Sequence, residues 1–293
     1  MSQLNLSQLT MKKAASVKLI VCDLDGTLLN SRKQISQANV ASLQAARSRG
    51  IFVTICTSRI PQMTGAYAKE LAIDGYYIAS NGAVIIDTRD DSMPYCKYAD
   101  GTETAALLEF SRIEELNHVL STDRGCYCST GNRRIPRYIQ YNELAVAQNL
   151  TPIPLYQLAD HYHEVSGMNI YKVLLSDLTE IKQQRAEDFL ATLPNLRYVT
   201  SEPGVLDINA GGIDKGTGVR TLAQMLGLSK EEICVFGDYS NDLPMFEAAG
   251  FSVAMGNGND EVKRRATLVT ATNDEDGVAE AINQYFLGDN RAF

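Results

Sequence analysis

The sequence lacks any apolar run close to the ~18 residues that a membrane-spanning helix needs. Its N-terminus, MSQLNLSQLTMKKAASVK, has its lysines after a polar stretch and no apolar block before a cleavage site, unlike a secretory signal. Lysine and arginine form no long run, and the formal net charge is −8. These features argue against nucleic acid or a membrane as the main partner, and they require that any anionic ligand be captured by local charge.

The sequence also has few cysteines, six in 293 residues, which does not indicate a disulfide scaffold. Cys22, Cys56 and Cys234 lie in apolar runs that are typical of buried strands. Cys126 and Cys128 form a single CxC pair without a second pair, so a zinc site is the less favoured interpretation. We therefore predict a reduced, cytoplasmic protein.

Short apolar runs alternate with helical patterns at both ends of the chain, which is typical of a parallel sheet covered on both faces. In the middle the pattern changes to turns, tyrosines and mixed helix and strand signals. The predicted strands at the two ends are Val17–Cys22, Ile51–Cys56, Tyr76–Ala79, Ala83–Ile86, Val205–Ile208, Ile233–Phe236, Phe251–Met255 and Leu268–Thr270. The predicted helices there are Ala38–Ser48, Gln62–Leu71, Lys215–Leu226, Leu243–Ala248, Glu261–Ala266 and Val278–Phe286.

This pattern predicts an α/β fold with a Rossmann-like parallel sheet core, helices on both faces and an inserted α+β domain. Residues 1–16 are expected to form an N-terminal tail, in which Met1 and Met11 are both possible starts. Residues 17–86 and 200–293 are assigned to the core, and residues 87–199 to the insertion.

Two carboxylates follow the first predicted strand, at Asp23 and Asp25. In open parallel sheets, ligands bind beyond the carboxyl ends of the strands, and alternation would place both side chains on one side. Because two close carboxylates repel each other, a cation such as magnesium would allow both to stay ionised. The competing interpretation is a simple turn at the Asp-Gly pair.

Further polar residues follow the other core strands. Thr57 and Ser58 come after the second strand, where hydroxyls and backbone N–H groups can bind an anion or merely cap a helix. Lys215 begins a helix, against the preference of the helix dipole, so it is either a partner for a phosphate or a solvated lysine.

Another group of polar residues follows the strand Ile233–Phe236: the carboxylates Asp238 and Asp242 and the carboxamide Asn241. A helix N-cap with acidic residues in its first turn explains Asp242 readily, but explains Asp238 less well. Taken together, four strand ends that offer carboxylates, hydroxyls and one lysine indicate a single site.

These motifs resemble those of haloacid dehalogenase (HAD) superfamily phosphatases, in the Cof-type branch with a large α/β (type IIB) cap. Asp23-Leu-Asp-Gly-Thr-Leu-Leu is similar to the first family motif, Thr57 to the second, and Lys215 in Asp-Lys-Gly to the third. Gly237-Asp-Tyr-Ser-Asn-Asp-Leu-Pro-Met is similar to the fourth. Ser58 stands where the second motif usually has glycine.

The resemblance implies that Asp23 is a nucleophile that becomes phosphorylated. It implies that Asp25 is a general acid and base, whose pKa a neighbouring carboxylate would raise. Mg²⁺ would be held by Asp23, the backbone carbonyl of Asp25, and Asp238. Asp242 would orient Lys215 or a metal-bound water.

The resemblance also implies a phosphate site made by Thr57, the backbone N–H groups around Leu24 and Ser58, Lys215 and Asn241. The expected activity is magnesium-dependent hydrolysis of small phosphate monoesters, such as sugar phosphates. The alternatives are a phosphotransferase or phosphomutase of the same superfamily and a regulator that binds a phosphate ligand without turnover.

The insertion is expected to act as a lid that reads the leaving group of the substrate. The candidate specificity residues are Tyr138, Tyr141, Asn169 and Tyr171. Arg133, Arg134 and Arg137 are interpreted as solvated surface in preference to a site for a second anionic group.

Overall fold

The computed structural model describes residue 14, residues 16–147 and residues 149–288, apart from the side chain of residue 144. The predicted N-terminal tail, with both candidate start methionines, lies almost entirely outside the described residues. Within the described residues, no helix is both long enough and apolar enough to cross a membrane.

Strands and α-helices alternate along most of the described chain. The strands are β1 Leu19–Cys22, β2 Phe52–Ile55, β3 Tyr76–Ala79, β4 Val84–Asp87, β5 Tyr95–Cys96, β6 Asn117–Thr122, β7 Gly125–Cys128, β8 Leu155–Gln157, β9 Ile170–Ser176, β10 Leu196–Glu202, β11 Val205–Ala210, β12 Ile233–Gly237, β13 Phe251–Ala254 and β14 Leu268–Val269. The α-helices are α1 Gln37–Ser48, α2 Pro61–Glu70, α3 Gly101–Ile113, α4 Ile135–Ala147, α5 Glu180–Leu190, α6 Lys215–Leu226, α7 Leu243–Ala248, α8 Asp260–Arg265 and α9 Gly277–Ala281.

Short 3₁₀ turns connect several of these elements, and the helix α9 continues into a π-helical segment. The 3₁₀ turns are Ser80–Gly82, Leu158–Asp160, Tyr162–Gly167, Lys230–Glu232, Ser240–Asp242 and Asn273–Glu275, and the π-helical segment is Ile282–Phe286.

A five-stranded parallel sheet forms the core, in the order β14-β13-β12-β1-β2. The two central strands are apolar and wholly buried, as expected for strands with helices on both faces. Their register pairs Cys22 with Phe236, so that Asp23, directly after β1, lies level with Gly237 at the end of β12, one residue before Asp238. The predicted α/β core is confirmed.

The strand β3 lies beside the parallel sheet but belongs to a second, antiparallel sheet, β3-β4-β5. A single bridge between Cys56 and Ile78 joins the two sheets, and the N–H of Thr57 donates to the carbonyl of Ile78 at 3.1 Å. The short turn Ser80–Gly82 reverses the chain between β3 and β4, which is why the predicted third strand is not followed by a crossover helix.

The middle of the chain forms a six-stranded sheet in the order β10-β11-β9-β6-β7-β8. All its neighbouring strands are antiparallel except β7 and β8. The predicted α+β insertion is therefore confirmed as a fold element. Its own apolar core packs between this sheet and helices, with Leu107, Val173 and Ile208 fully buried.

The strand β11 is placed differently from the sequence-based assignment, which gave Val205–Ile208 to the core. It pairs with β9 and β10 in the six-stranded sheet, because a tight turn of two residues, with Gly204 at a φ of 71°, joins it to β10 as a hairpin. The division into 17–86, 87–199 and 200–293 is retained as a proposal with both junctions moved. The first moves beyond Cys96, because β5 pairs with β4, and the second moves beyond Ala210.

Candidate active site

The nucleophile candidate Asp23 follows β1 directly and is 5% exposed. Its backbone N–H still donates to the carbonyl of Phe236 at 3.0 Å, so the strand pairing holds this residue in place. One carboxylate oxygen lies 2.9 Å from the ammonium nitrogen of Lys215. The structure thus brings together two residues that are far apart in the sequence.

Lys215 is the first residue of α6, and its side chain is almost completely buried. Asp214 caps this helix by accepting a hydrogen bond from the N–H of Thr217 at 2.7 Å, so the helix begins at the lysine. Burial alone would lower the pKa of Lys215, but Asp23 and Asp242 outweigh that effect and raise it well above its usual value. Lys215 is therefore a permanent positive charge in the site.

Asp242 connects the lysine to the neighbouring loop. Its Oδ1 lies 2.5 Å from Nζ of Lys215, and its Oδ2 accepts hydrogen bonds from the N–H groups of Asp238 and Tyr239 at 2.8 and 3.1 Å. With three partners, the Asp242 carboxylate holds the lysine and the loop after β12 in fixed positions. The geometry agrees with the expectation that Asp242 orients Lys215.

Asp238 follows β12, and its Oδ1 accepts a hydrogen bond from the hydroxyl of Thr27 at 2.9 Å. The loop after β1 packs tightly against it at Gly26, which has a φ of 80°. A Cβ atom at this position would lie 2.3 Å from Oδ2 of Asp238. Only glycine permits both the backbone conformation and the close approach.

Carboxylate oxygens of Asp23, Asp238 and Asp242 lie within 4.8 Å of one another, and this is a group that could hold a metal ion. Burial, and the neighbouring carboxylate of Asp242, raise the pKa of Asp238 to about 7. Burial also raises the pKa of Asp23 well above its usual value, although Lys215 opposes the shift. A hard divalent cation would relieve this repulsion, so the residues fit such a metal.

Asp25 does not have the surroundings that the sequence predicts. Its carboxylate accepts hydrogen bonds from Nε and Nη2 of Arg59 at 2.7 and 2.9 Å, and from Nζ of Lys33 at 2.8 Å. Burial tends to raise the pKa of Asp25, but Arg59 and then Lys33 outweigh it and hold the pKa well below its usual range. The expectation of a raised pKa was wrong, because two cations from elsewhere in the chain face this carboxylate.

Thr57 and Ser58 lie in the loop between β2 and α2, as predicted. The Thr57 side chain is buried, and its Oγ1 accepts a hydrogen bond from the N–H of Arg59 at 3.2 Å. The hydroxyl proton of Thr57 is therefore free to be donated elsewhere. The Leu24 side chain is completely buried, so only its backbone N–H could bind a ligand. Asn241 lines the cleft beside Asp23.

A cleft of about 1310 Å³ extends from Asp23 and Asp25 to the six-stranded sheet. From the insertion, Arg134 and Arg137 line it, and Nη1 of Arg134 lies 2.6 Å from a Glu202 carboxylate oxygen. The side chain of Arg134 is only 13% exposed, which contradicts its interpretation as solvated surface.

Only half of the candidate specificity residues face this cleft. Tyr138 and Tyr141, on α4, are among the residues that line it, whereas Asn169 and Tyr171 are not. Nδ2 of Asn169 donates to Asp123, and Tyr171 is buried beside the ring of Tyr98. Successive side chains of a strand point to opposite faces, so Tyr171 points away from the cleft that its neighbour Lys172 lines.

Sequence reasoning missed cationic residues that the structure places in the site, among them Lys33, Arg59 and Lys172. Arg59 follows Thr57 and Ser58 directly, so its proximity to them was the available signal. Lys172 stands inside the apolar run Ile170–Leu175, and a charged residue in such a run signals a buried partner. Its ammonium forms an ion pair with Asp207 and donates to the carbonyl of Ser58 at 2.8 Å.

The family model for haloacid dehalogenase-like hydrolases matches residues 20–282. The 5-amino-6-(5-phospho-D-ribitylamino)uracil phosphatase YwtE of Bacillus subtilis (strain 168) is 33% identical, and the match covers 93% of this chain and 99% of that protein. A second such phosphatase of the same organism, YitU, is 29% identical over 92% of this chain and 97% of its own length.

Solved structures of haloacid dehalogenase-like proteins are also similar to this chain over most of its length. A haloacid dehalogenase-like hydrolase from Bacteroides thetaiotaomicron is 30% identical, with a TM-score of 0.77 and coverage of 92% of this chain and 100% of its own. The HAD subclass IIB sugar phosphatase BT4131 is 25% identical, with a TM-score of 0.77 and coverage of 92% and 99%. The chain belongs to the haloacid dehalogenase-like hydrolase family, in the Cof-type branch with an inserted α/β cap.

Proposed function

We propose that the protein is a magnesium-dependent phosphatase that hydrolyses small phosphate monoesters through an aspartyl-phosphate on Asp23. One observation carries the proposal: the buried Asp23 carboxylate is paired with Lys215, and one of its oxygens lies within 4.8 Å of one oxygen each of Asp238 and Asp242. An anionic nucleophile can approach an anionic phosphate only where nearby positive charge compensates both. Lys215 supplies one positive charge, and the carboxylate cluster supplies ligands for a metal cation.

In the first step, an oxygen of Asp23 bonds to phosphorus, and the bond from phosphorus to the ester oxygen breaks. Lys215, the hydroxyl of Thr57 and the amide of Asn241 stabilise the charge on the remaining phosphate oxygens. In the second step, water attacks phosphorus and regenerates Asp23. Two displacements replace one difficult displacement.

Asp25 is the proposed proton donor to the leaving alcohol and the proton acceptor from the attacking water. Because Arg59 and Lys33 hold it as a carboxylate, it needs a change of partners before it can donate a proton. Both cations line the cleft, where a phosphate dianion would compete for them. Substrate binding would thereby raise the pKa of Asp25 toward the value that a general acid requires.

Asp23, Asp238 and the backbone carbonyl of Asp25 are the proposed ligands of Mg²⁺. When bound, the ion supplies positive charge that stabilises the developing charge on the phosphate oxygens. Oxygen ligands and the absence of cysteine or histidine from the cluster favour this metal class over zinc.

The proposed substrate is a small phosphorylated metabolite, in a cytoplasmic setting. Similarity to phosphatases of 5-amino-6-(5-phospho-D-ribitylamino)uracil and of sugars supports a polar, hydroxyl-rich leaving group. The polar cleft wall at Arg134, Arg137 and Glu202 is compatible with such a group.

The proposal is tested by release of inorganic phosphate from an aryl phosphate and a panel of sugar phosphates, with Mg²⁺ and after exhaustive chelation. We expect turnover only with the metal, and restoration when Mg²⁺ is added back. Undiminished activity in EDTA would contradict the metal site. Transfer of the phosphoryl group to a sugar without phosphate release would identify a phosphotransferase instead.

A further inference from the structure

Lys172 is a charged residue in the middle of an apolar strand of the cap. It lies on β9, one of the central strands of the six-stranded sheet, and its side chain is 7% exposed. Asp207 on the neighbouring strand β11 is its ion-pair partner, placed diagonally across the sheet because Asp207 itself pairs with Leu174. Lys172 and Leu174 line the cleft, so this face of β9 points toward the core.

The second partner of Lys172 belongs to the core. Its ammonium donates to the backbone carbonyl of Ser58 at 2.8 Å, across 114 residues of sequence. Ser58 lies between Thr57 and Arg59, in the loop to which the proposed function assigns phosphate binding. A side chain of the cap thus contacts the phosphate loop directly.

The three carbonyls of this loop are all held by donors. The carbonyl of Thr57 accepts from the N–H of Asn81 at 3.0 Å, and that of Arg59 accepts from the N–H of Ser80 at 2.7 Å. Both of those donors belong to the core turn after β3. Only the middle carbonyl, that of Ser58, takes its donor from the cap.

Holding the Ser58 carbonyl also orients the next N–H group. The peptide bond is planar and trans, so the N–H of Arg59 points opposite to the Ser58 carbonyl. That N–H donates to Oγ1 of Thr57 at 3.2 Å, which leaves the Thr57 hydroxyl proton to point elsewhere. Lys172 therefore acts on the orientation of the Thr57 hydroxyl through one rigid peptide plane.

Stability alone does not explain this buried pair. A buried ion pair commonly contributes no more to stability than well-packed apolar residues of similar size, because both charges lose their hydration. The contact with Ser58 gives the pair a role that apolar residues could not fill.

We propose that Lys172, held by Asp207, is a positioning residue that couples cap docking to the order of the phosphate loop. The proposal rests on the proposed function for the identity of the loop's ligand. In the docked arrangement, the ammonium fixes the Ser58–Arg59 peptide and thereby the hydroxyl of Thr57. When the cap moves away, the loop loses this donor and its affinity for phosphate decreases.

The test compares Lys172→Met and the double variant Lys172→Met/Asp207→Leu with the wild type. The double variant removes the buried pair without leaving an unpaired carboxylate, so it should remain folded. The matched control is Lys182→Met, because Lys182 also donates to two backbone carbonyls, those of Glu114 and Glu115, but within the cap. Thermal unfolding establishes that each variant is folded.

Two measurements decide the outcome. Hydrogen exchange of the amides in residues 57–60, without ligand, should be faster in both Lys172 variants and unchanged in Lys182→Met. The inhibition constant of vanadate and the KM of every phosphate ester should rise together by about tenfold, the effect of losing a hydrogen bond from a charged donor. The ratios of kcat/KM between esters should stay the same.

Unchanged exchange and unchanged vanadate inhibition in a folded double variant would overturn the proposal. A change in the ratios between esters would also overturn it, since Lys172 would then contact the leaving group instead of the loop. Failure of the wild type to release phosphate would contradict the proposed function, while the exchange measurement would still decide the role of Lys172.

Discussion

At the scale of residues, two aspartates separated by one position have opposite electrostatic surroundings. Asp23 is buried among carboxylates and one lysine, and its pKa is raised. Asp25 is paired with Arg59 and Lys33, and its pKa is lowered. Different environments allow neighbouring carboxylates to take different roles, here the proposed nucleophile and the proposed proton donor.

We expect Asp23→Asn to reduce turnover to background without unfolding the protein, because an amide fills the same volume but does not attack phosphorus. Asp25→Asn should lower turnover of an ester with a good leaving group by about 10²- to 10⁴-fold. It should also accumulate phosphoenzyme, since the water that hydrolyses the intermediate lacks a base. Intact mass after quenching with acid measures the added phosphoryl group.

The control for both variants is Asp188→Asn, on the exposed face of α5, which should behave as the wild type. Phosphoenzyme in Asp23→Asn, or wild-type turnover in that variant, would contradict the covalent role of Asp23.

The raised pKa of Asp238 predicts a pH dependence of stability in the metal-free protein. The carboxyl ionises near pH 4 when unfolded but near 7 when folded, so the folded state binds more protons between these values. The free energy of unfolding should therefore fall as the pH rises from about 4 to about 7, by on the order of 3 kcal/mol. Urea unfolding in EDTA across this range measures the slope.

The same titration in Asp238→Asn should show a smaller slope and a higher stability than the wild type at pH 8. Mg²⁺ should reduce the slope of the wild type, because the cation favours the ionised carboxylates. An equal slope in variant and wild type would show that Asp238 is not the source.

At the scale of elements, α6 positions Lys215 by packing its backbone closely against the turn Ser80–Gly82. A Cβ atom at Gly218 would lie 2.7 Å from Cα of Gly82 and 2.7 Å from Cγ2 of Ile78. The helix therefore requires glycine here despite its low helix propensity. This close contact holds the lysine at the end of the sheet.

Two glycine-to-alanine substitutions in helices should consequently have opposite effects. Gly218→Ala should destabilise the protein by about 1–3 kcal/mol, because the added methyl group meets backbone atoms. Gly65→Ala, in α2, should stabilise it by about 0.5–1 kcal/mol, since the nearest atom to the new Cβ lies 3.7 Å away. Chemical denaturation of both variants measures the difference, and a stabilising Gly218→Ala would contradict the close packing.

At the scale of the whole molecule, the core holds the proposed phosphate ligands, and the cap closes the cleft above them. The two parts are joined at several points, including a hydrogen bond from Nε2 of Gln62 to the carbonyl of Thr122 at 3.1 Å. Another runs from the Tyr141 hydroxyl to the carbonyl of Gln62. Because phosphate is common to all candidate substrates, discrimination must come from cap contacts to the leaving group.

We expect Arg134→Gln and Tyr138→Phe to change the relative kcat/KM values within a panel of phosphate esters, while vanadate inhibition stays nearly constant. Asn169→Ala is the matched control, because Asn169 lies on the cap but does not line the cleft. Equal loss of all substrates and of vanadate binding would show that the cap only excludes water.

Much of the architecture could be predicted from local sequence. Continuous apolar runs and helical periodicity predicted the core strands and most core helices, and the strand-end motifs identified Asp23, Lys215 and Asp238 as neighbours. These predictions depend on patterns within a few residues, since burial on both faces makes a strand continuously apolar. The family resemblance, which the comparisons confirm, rests on the same short motifs.

Partners separated widely in the sequence were decided only by tertiary structure. Asp25 meets Arg59 across 34 residues, and Ser58 meets Lys172 across 114. The residue pattern of Val205–Ile208 predicted a strand but did not specify its sheet. A strand pattern by itself does not show whether the strand pairs in the core sheet or in the sheet of the insertion. The sequence by itself determined which short segments form apolar core strands and which strand ends carry charge. Folding determined which charges are buried and which face each other, because that depends on how the cap and core pack.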